Sequence, residues 1–485
     1  MRTTSQNTLN DSNDRLLLPG EIRLSELVAA LSTALDLTEG QPEGHAARSC
    51  LIGMHLARQL GLADNDLGAL FYALLLKDLG CSSNAAKMCW LFGTDDRVVK
   101  RDMKSIDWTR AVAKFRFAAQ HAAVGGSPLQ KALQFVVMAR EGEAGARKLV
   151  ETRCYRGAEI ARQLGFPEAT ARAIESLDEH WNGRGQPAGL KGEEIPLFSR
   201  IMGIAQTTEV FHASFGRKAA QEMVRERRGT WFDPQLADLL LAAGDELWTT
   251  LENANYASAV AACEPVDQVQ NVSEDQLDIV AAAFASVVDA KSPWTHKHSE
   301  RVAEIAREMA RVMGLSPERC RDIHRAGLLH DLGKLGVSNM VLDKPGKPTD
   351  AEFHQIRLHP DFSKQILDRI PTFRKLADVA SAHHERLDGR GYHRQLPGAE
   401  MTLESRILAV ADVYEALTAK RPYRDGLPLE KVREIMEQGL GTAFCPMAYS
   451  ALMTWLDKTT FTPRVEAQLE AIETLHQSMA KAPTA

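Results

Sequence analysis

The sequence is poor in several features that define other classes of protein. Seven cysteines are scattered over 485 residues without a CxxC pair, which argues for a reducing compartment rather than a disulfide framework. No apolar run approaches the about 20 residues that a transmembrane helix needs. The first residues, MRTTSQNTLNDSNDRLLLPGE, are polar and lack the apolar core of a signal peptide. We therefore expect a cytoplasmic protein without membrane insertion.

Strand-like alternation and excess positive charge are also scarce. Helical periodicity dominates after the polar N-terminal residues, and this pattern predicts an all-α protein. The formal net charge of -6 argues against binding of a DNA or RNA polymer by the whole chain. With 44% apolar and 25% charged residues, the chain has enough material for two or three globular domains.

The most unusual stretch that is present reads AGLLHDLGKLGV. Upstream of it, Ser316 and Pro317 supply an N-cap and a first-turn proline, so we predict a helix from there to Gly333. The dipeptide His330-Asp331 would then lie on the last turn of this helix. A single His-Asp pair is weak evidence of a site, so its significance depends on the residues around it.

Further histidines and an aspartate lie on apolar faces of predicted helices, where an unpaired charge would cost on the order of several kcal/mol. His298 extends the apolar stripe of one helix, and Asp412 lies within the stripe of another. The full set of candidate metal ligands is His298, His330, Asp331, His359, His383, His384 and Asp412. Five imidazoles and two carboxylates exceed one tetrahedral zinc site, so they predict a cluster of more than one metal with N and O ligands.

These residues belong to ordered motifs that resemble those of the HD-GYP phosphodiesterases. The motifs are His330-Asp331 with Gly333-Lys334, His359-Pro360, HHERLDGRGY from His383 and DVYEALTAKRPYR from Asp412. The resemblance covers about residues 274–458. It implies an all-helical fold, a cluster of two or three metals, often iron or manganese, and hydrolysis of cyclic dinucleotides, chiefly cyclic di-GMP.

Chemistry and the resemblance together suggest how the candidate ligands divide. A pair of metals can lower the pKa of a water and neutralise the charge that develops on a phosphodiester. Asp331 would bridge them, because a carboxylate can offer one oxygen to each ion. The remaining ligands would form two groups of three, His298, His330 and Asp412 in one and His359, His383 and His384 in the other. Where family members with a third ion carry a glutamate, this sequence has Trp294, so we expect two divalent metals, iron or manganese.

The resemblance also implies substrate contacts. Lys334, which we count with Asp331 as catalytic, would hold a phosphate, and Tyr392 would line a base pocket. Arg421 and Arg424 would form a second phosphate clamp. The family's Gly-Tyr-Pro motif ends here in His393, so we expect a more mobile loop. His393→Pro would raise activity if the loop supplies rigidity, and lower activity if His393 itself contacts the substrate.

An internal repeat precedes the motif-bearing region. GRGQPAGLKGEEIPLFSRI, from Gly183, aligns without gaps with GRGYHRQLPGAEMTLESRI, from Gly389. Of the seven ligand positions, only His45 and Asp78 are retained in this first copy. The other positions hold Lys77, Arg153, Leu177, Asp178 and Gln206, and Cys81 replaces the lysine. We interpret residues 21–252 as a degenerate, metal-free repeat, called the first repeat below.

The remaining boundaries follow from composition and from the change in offset between the two copies. We predict a disordered tail at 1–20, a linker at 253–273 and the catalytic second repeat, with a C-terminal helix, at 274–485. The first repeat holds 47 extra residues, an insertion at about 87–147. This insertion could be a decorated loop, or a surface for a homodimer or a regulatory protein partner.

The predicted function is hydrolysis of a 3′,5′-phosphodiester bond in a cyclic dinucleotide. Cyclic di-GMP ranks first, giving linear pGpG, or GMP after a second cleavage, and 3′,3′-cyclic GMP-AMP ranks second. Two other readings stay open. One is a phosphohydrolase for another nucleotide, and the other is a cyclic-dinucleotide sensor that binds without turnover.

Overall fold

The fold comes from a computed structural model that describes residues 16–17, 22–253, 256–265, 269–295, 297–420 and 425–458. Throughout these ranges the chain forms α-helices and short 3-10 turns, without a β-strand, so the all-α prediction is confirmed. Among the described helices, none combines the length and the apolar character that crossing a membrane requires.

Two runs of helices correspond to the two copies seen in the sequence. The first run consists of α1 (Leu24–Thr38), α2 (His45–Gln59), α3 (Asp64–Leu76), α4 (Ala85–Phe92), α5 (Asp96–Met103), α6 (Ala111–His121), α7 (Pro128–Gln163), α8 (Glu168–Glu175), α9 (Leu197–Arg227), α10 (Pro234–Leu241), α11 (Asp245–Glu252) and α12 (Tyr256–Cys263). The second run consists of α13 (Glu274–Asp289), α14 (His298–Val312), α15 (Pro317–Leu329), α16 (Asn339–Leu342), α17 (Asp350–Ile356), α18 (His359–Leu367), α19 (Arg374–Ala380), α20 (Leu403–Thr418), α21 (Leu429–Glu437) and α22 (Pro446–Lys458).

The helix that leads to the His-Asp pair begins as predicted and ends earlier. The Ser316 hydroxyl accepts the amide N–H of Arg319 and caps α15. The helix ends at Leu329 rather than Gly333, and the chain tightens into a 3-10 turn, Leu332–Gly336. The reason is tertiary: the Gly333 amide donates to the Ser363 hydroxyl at 2.8 Å, so it is not available to continue the α-helical ladder.

Both copies use a buried aspartate to hold the start of the helix that carries their first histidine. In the first repeat, Asp36 accepts the amides of Gly44 and Ala46 at 2.9 and 3.0 Å. In the second repeat, Asp289 accepts the amide and the hydroxyl of Ser299 at 3.2 and 2.8 Å. Because four orphan N–H groups sit at a helix start, such a carboxylate satisfies part of them.

The two repeats share one continuous apolar core. It includes Leu31 of α1 and Phe71 of α3 together with Phe284 of α13 and Leu329 of α15. Helix α1 of the first repeat also packs against α18 and against the 3-10 turn Leu332–Gly336 of the second. The second repeat is therefore packed directly onto the first repeat.

Parts of the predicted linker and tail are packed rather than loose. Within residues 253–273, α12 buries Val260, and the Glu264 carboxylate accepts hydrogen bonds from Ser25 at 2.6 Å and Tyr72 at 3.0 Å. In the tail, the amide of Leu16 donates to Asp322 at 3.1 Å. The other residues of 1–20 except Leu17, and those of the predicted C-terminal helix after Pro463, lie outside the described residues.

The insertion forms α4, α5, α6 and the first part of α7, with a small core of its own. This core contains Met88, Leu91, Phe92, Val99, Phe117 and Leu149. Several other large apolar side chains of the insertion are exposed, among them Val112, Phe115, Leu129, Leu133 and Val136. Binding of a second copy or of a regulatory protein through this domain stays a prediction.

The close approach of Gly333 to α18 leads to a first testable prediction. A Cβ at Gly333 would lie 2.0 Å from the backbone oxygen of His359, so Gly333→Ala must push the turn and α18 apart. We expect a loss of about 1–3 kcal/mol in stability, the usual cost of overpacking. The measurement is the thermal unfolding midpoint. Gly244→Ala is the control, since its Cβ would meet no atom within 4 Å, and an equal midpoint for both variants would contradict the prediction.

Candidate metal centre

The structure brings all seven candidate ligands together at one end of the second repeat. His298 is the first residue of α14, and His330-Asp331 follow α15 directly. His359 is the first residue of α18, the pair His383-His384 follows α19, and Asp412 lies inside α20. Six of these seven side chains are buried, and His384 is the partly exposed one. Residues that are 114 positions apart in the chain thus line one interior site.

Asp331 lies between two groups of ligand atoms. One of its oxygens, Oδ2, lies 3.3 Å from Nε2 of both His298 and His330. The other, Oδ1, lies 3.2 Å from Nε2 of His359 and 3.7 Å from Nε2 of His383. The ligand atoms of each predicted group, His298 with His330 and Asp412, and His359 with His383 and His384, lie within 4.8 Å of one another.

The hydrogen bonds of the imidazoles indicate which kind of ligand this interior site can bind. Nδ1 of His330, His359 and His383 donates to backbone oxygens of Gly327, Ile356 and Ala380 at 2.7, 2.6 and 2.7 Å. A neutral ring that carries its proton on Nδ1 has a bare lone pair on Nε2. Two such nitrogens, those of His359 and His383, face each other at 3.0 Å. Lone pairs in this arrangement repel, and a cation between them is the chemical group that fits.

Burial and charge keep several of these side chains in the protonation state that binds metal. Burial lowers the pKa of His359 and His383, and it lowers the pKa of His384 to about 3. Burial alone would raise the pKa of Asp331, but His330 and Lys334 hold it well below its usual range. Neutral rings of His359, His383 and His384 and an ionised Asp331 are therefore expected at neutral pH, and these are the protonation states that metal binding requires. His298 differs, because burial alone would lower its pKa but Asp331, Asp412 and Glu415 outweigh burial and raise it, so a metal has to displace its proton.

Two supporting residues were not predicted from the sequence. Glu415 accepts a hydrogen bond from Nδ1 of His298 and another from Arg301 at 2.8 Å, an arrangement that orients a ligating imidazole. The Ser363 hydroxyl donates to the His330 carbonyl at 2.8 Å. The repeat contained a signal for the glutamate, because Glu209 makes the same pair of contacts in the first repeat, with His45 and Arg48.

In the first repeat, ammonium groups lie where the second repeat gathers bare nitrogens. Lys77 forms an ion pair with Asp78, and Lys104 of the insertion lies 2.9 Å from Glu39 and 3.3 Å from Asp78. Burial alone would raise the pKa of Asp78, yet Lys104 and Lys77 hold it well below its usual range. Although Glu39, Asp78 and Cys81 are close enough to share an ion, their charge is already compensated. This arrangement supports the prediction that the first repeat binds no metal.

The predicted substrate residues are only partly placed. Lys334 forms an ion pair with Asp331 while its side chain stays 20% exposed, so the ammonium group borders both the ligand cluster and solvent. The ring of Tyr392 lies 4.5 Å from that of His384. The guanidinium of Arg357, which we did not predict, lies 5.0 Å above the Tyr392 ring. Arg421 and Arg424 lie outside the described residues.

The loop that carries Tyr392 is held by one carboxylate. Glu385 accepts the backbone amides of Arg394, Gln395 and Leu396 at 2.7, 3.1 and 3.0 Å. Within this loop His393 has φ 90, a conformation that is strained for a residue with a side chain. The loop is therefore anchored through its backbone rather than by the proline of the family motif.

Comparisons with known proteins agree with this site. The HD domain family matches residues 136–236 and 283–445. A 3′3′-cGAMP-specific phosphodiesterase of Vibrio cholerae is 44% identical over 438 residues, which are 88% of this chain and 94% of that protein. A cyclic di-GMP phosphodiesterase of Thermotoga maritima is 37% identical over 182 residues, which are 37% of this chain and 50% of that protein.

A solved structure extends the similarity to the fold. The crystal structure of a cyclic GMP-AMP specific phosphodiesterase of Vibrio cholerae has a TM-score of 0.63 and 39% identity, and covers 90% of this chain and 98% of that one. The chain therefore belongs to the HD domain family, as a phosphodiesterase of the HD-GYP type that acts on cyclic dinucleotides.

The first prediction from the site concerns metal content. We expect purified full-length protein to hold two divalent ions, and His330→Ala with Asp331→Ala to lose them while helix content stays nearly intact, because the change removes metal ligands and leaves the apolar core side chains in place. His45→Ala should keep the wild-type metal content, since the first repeat is expected to be metal-free. Elemental analysis and circular dichroism measure these outcomes, and loss of metal from His45→Ala would contradict the assignment.

A second prediction concerns His393. Its φ of 90 lies far from the about -65° that a proline ring imposes, so His393→Pro must distort the loop that presents Tyr392. We expect this variant to lose turnover, whereas His393→Gly, which removes the strain, should keep it. Steady-state kinetics of both variants measure this difference in turnover. A proline variant that is as active as the glycine variant would show that the loop conformation does not control turnover.

Proposed function

We propose that the second repeat hydrolyses a 3′,5′-phosphodiester bond of a cyclic dinucleotide, with 3′,3′-cyclic GMP-AMP ahead of cyclic di-GMP. The observation that carries the proposal is the position of Asp331, whose two oxygens face two separate groups of ligand atoms. A site of this form suits a pair of divalent cations, for which we propose iron or manganese. Trp294, at the position where a third ion would need a carboxylate, has an indole that cannot take that role.

The chemistry follows from the charge of the substrate. Two bound cations would lower the pKa of a water and offset the negative charge that develops on the phosphoryl oxygens. Lys334 borders the ligand cluster and solvent, so its ammonium group can hold a phosphate oxygen that enters from outside. Glu415 keeps the His298 ring in one orientation. The partly exposed rings of Tyr392 and His384, whose centroids are 4.5 Å apart, would line the pocket for a base.

The substrate ranking differs from the one that the sequence suggested. The motifs alone favoured cyclic di-GMP, because that is the usual family substrate. The relative that aligns over both repeats is named for 3′3′-cGAMP, whereas the cyclic di-GMP phosphodiesterase of Thermotoga maritima aligns over 37% of this chain. Similarity that extends through the degenerate repeat therefore favours cyclic GMP-AMP. A different nucleotide substrate, or binding without turnover, has no such support.

The test is a side-by-side measurement of turnover. Metal-loaded protein, kept anaerobic and reduced, is given cyclic GMP-AMP, cyclic di-GMP and cyclic di-AMP at equal concentrations. We expect the highest kcat/KM on cyclic GMP-AMP. Higher kcat/KM on cyclic di-GMP would reverse the ranking, and no turnover of any of the three by protein shown to hold both metals would refute the proposed function in favour of a sensor.

The role of Lys334 can be tested in the same assay. Lys334→Met should lower kcat/KM by about a hundredfold, the usual cost of losing one group that stabilises developing charge. Lys344→Met is the matched control, because Lys344 pairs with Glu352 at 2.6 Å away from the cluster and should keep wild-type turnover. Equal kcat/KM for the two variants would show that Lys334 does not contribute to the reaction.

A further inference from the structure

Helix α5 of the insertion connects the degenerate site of the first repeat with the turn that carries Lys334. Its N-terminal end, Asp95 to Arg97, lies against residues 336–339 of the second repeat. Its C-terminal end carries Lys100 and Lys104, which reach into the degenerate site. The helix has eight residues, Asp96–Met103, so both ends lie within a short distance of the two sites.

The contacts with the second repeat are polar, and those of Asp96 are buried. The Asn339 amide donates to Oδ1 of Asp96 at 3.0 Å, and the Arg97 guanidinium donates to the Gly336 carbonyl. Oδ2 of Asp96 lies 3.6 Å from Nζ of Lys291, which itself donates to the Leu335 carbonyl at 3.2 Å. Two carbonyl groups on the turn, those of Leu335 and Gly336, are thus held by cations: Lys291, which pairs with Asp96, and Arg97, which pairs with Asp95.

The contacts with the first repeat use the residues that replaced the metal site. Lys100 donates to the carbonyl of Cys81 at 2.8 Å, where the second repeat has Lys334. Lys104 pairs with Glu39 and Asp78 at 2.9 and 3.3 Å. A carboxylate at the HD position of the first repeat therefore holds a lysine of the insertion, and this pairing fixes the other end of α5.

Asp96 is unusual because its carboxylate is fully buried. Its side chain is fully buried between Lys100 at 3.5 Å and Lys291 at 3.6 Å. Buried ion pairs often contribute little net stability compared with apolar side chains of similar size, and in some proteins they specify one geometry. The apolar face of α1 already packs on the same turn. Apolar packing thus already buries the turn, and the contacts of Asp96 fix where the turn lies.

We propose that Asp96 is a positioning residue for the proposed reaction, which sets the location of Lys334 by holding the turn Leu332–Gly336 against the first repeat. The degenerate site then has a function of its own, because it anchors the helix that makes this contact. The inference rests on the proposed function, in which Lys334 holds a phosphate oxygen. It assigns the insertion a role within the monomer.

The experiment compares three substitutions in the full-length, metal-loaded protein. Asp96→Asn removes the charge and keeps an acceptor for the Asn339 amide, and Asp96→Ala removes both. Asp102→Asn is the matched control, because Asp102 lies on the same helix and pairs with Arg101 and His121 inside the insertion. We expect kcat/KM to fall by about tenfold or more for Asp96→Asn and further for Asp96→Ala, as displacement of a reacting group predicts. Metal content should stay at the wild-type level.

A double-substitution cycle separates positioning from general destabilisation. If Asp96 acts through Lys334, Asp96→Asn should cause no further loss of kcat/KM in the Lys334→Met background. Equal fold losses in both backgrounds, or wild-type kcat/KM for Asp96→Ala, would overturn the inference.

Hydrogen exchange provides a readout that does not depend on substrate. In Asp96→Ala the amides of residues 333–339 should exchange faster, while those of α20 keep their protection, and Asp102→Asn should match the wild type. Unchanged exchange at 333–339 would overturn the inference even if turnover fell. If the wild type hydrolyses none of the three cyclic dinucleotides, the proposed function fails, and this exchange measurement still tells whether Asp96 holds the turn.

Discussion

The structure depends on a group of side chains that repel one another and are nevertheless buried together. Unprotonated nitrogens of His359 and His383 face each other at 3.0 Å, and Asp331 lies among four imidazoles. Burying such groups without a counter-charge is costly, so five parts of the chain, at α14, α15, α18, α19 and α20, must hold them in place until a cation binds. The backbone carbonyls that fix each Nδ1, and the glutamate behind His298, serve this purpose.

The two repeats compensate the same buried carboxylate in different ways. In the second repeat, Asp331 faces four imidazoles, whose nitrogens can share a cation with it, and it also pairs with the partly exposed Lys334. In the first, Asp78 faces Lys77 and Lys104, whose ammonium groups stay in place permanently. A lysine differs from a metal ion in one important respect, because it cannot lower the pKa of a bound water. The same helical frame can therefore support catalysis in one copy and a fixed internal contact in the other.

Because the two repeats share one core, the first repeat contacts the turn that carries Lys334. Helix α1 of the first repeat lies against the turn that carries Lys334, and α5 of the insertion reaches the same turn from the degenerate site. A repeat that is predicted to bind no metal thus still packs against the turn that carries Lys334. Under the proposed function, these contacts give the first repeat a role beside the repeat that would bind substrate.

Sequence alone was sufficient for the helical class, the repeat and the seven candidate ligands, because periodicity and spacing are local properties and a polar residue on an apolar face needs a partner. It did not predict the end of α15, since the Gly333 amide is taken by Ser363 from a distant helix. It did not predict Glu415, the buried Leu16 or the contact between Asp96 and Asn339 either. Each of these depends on which distant segments the shared core brings together, and only the tertiary structure determines that.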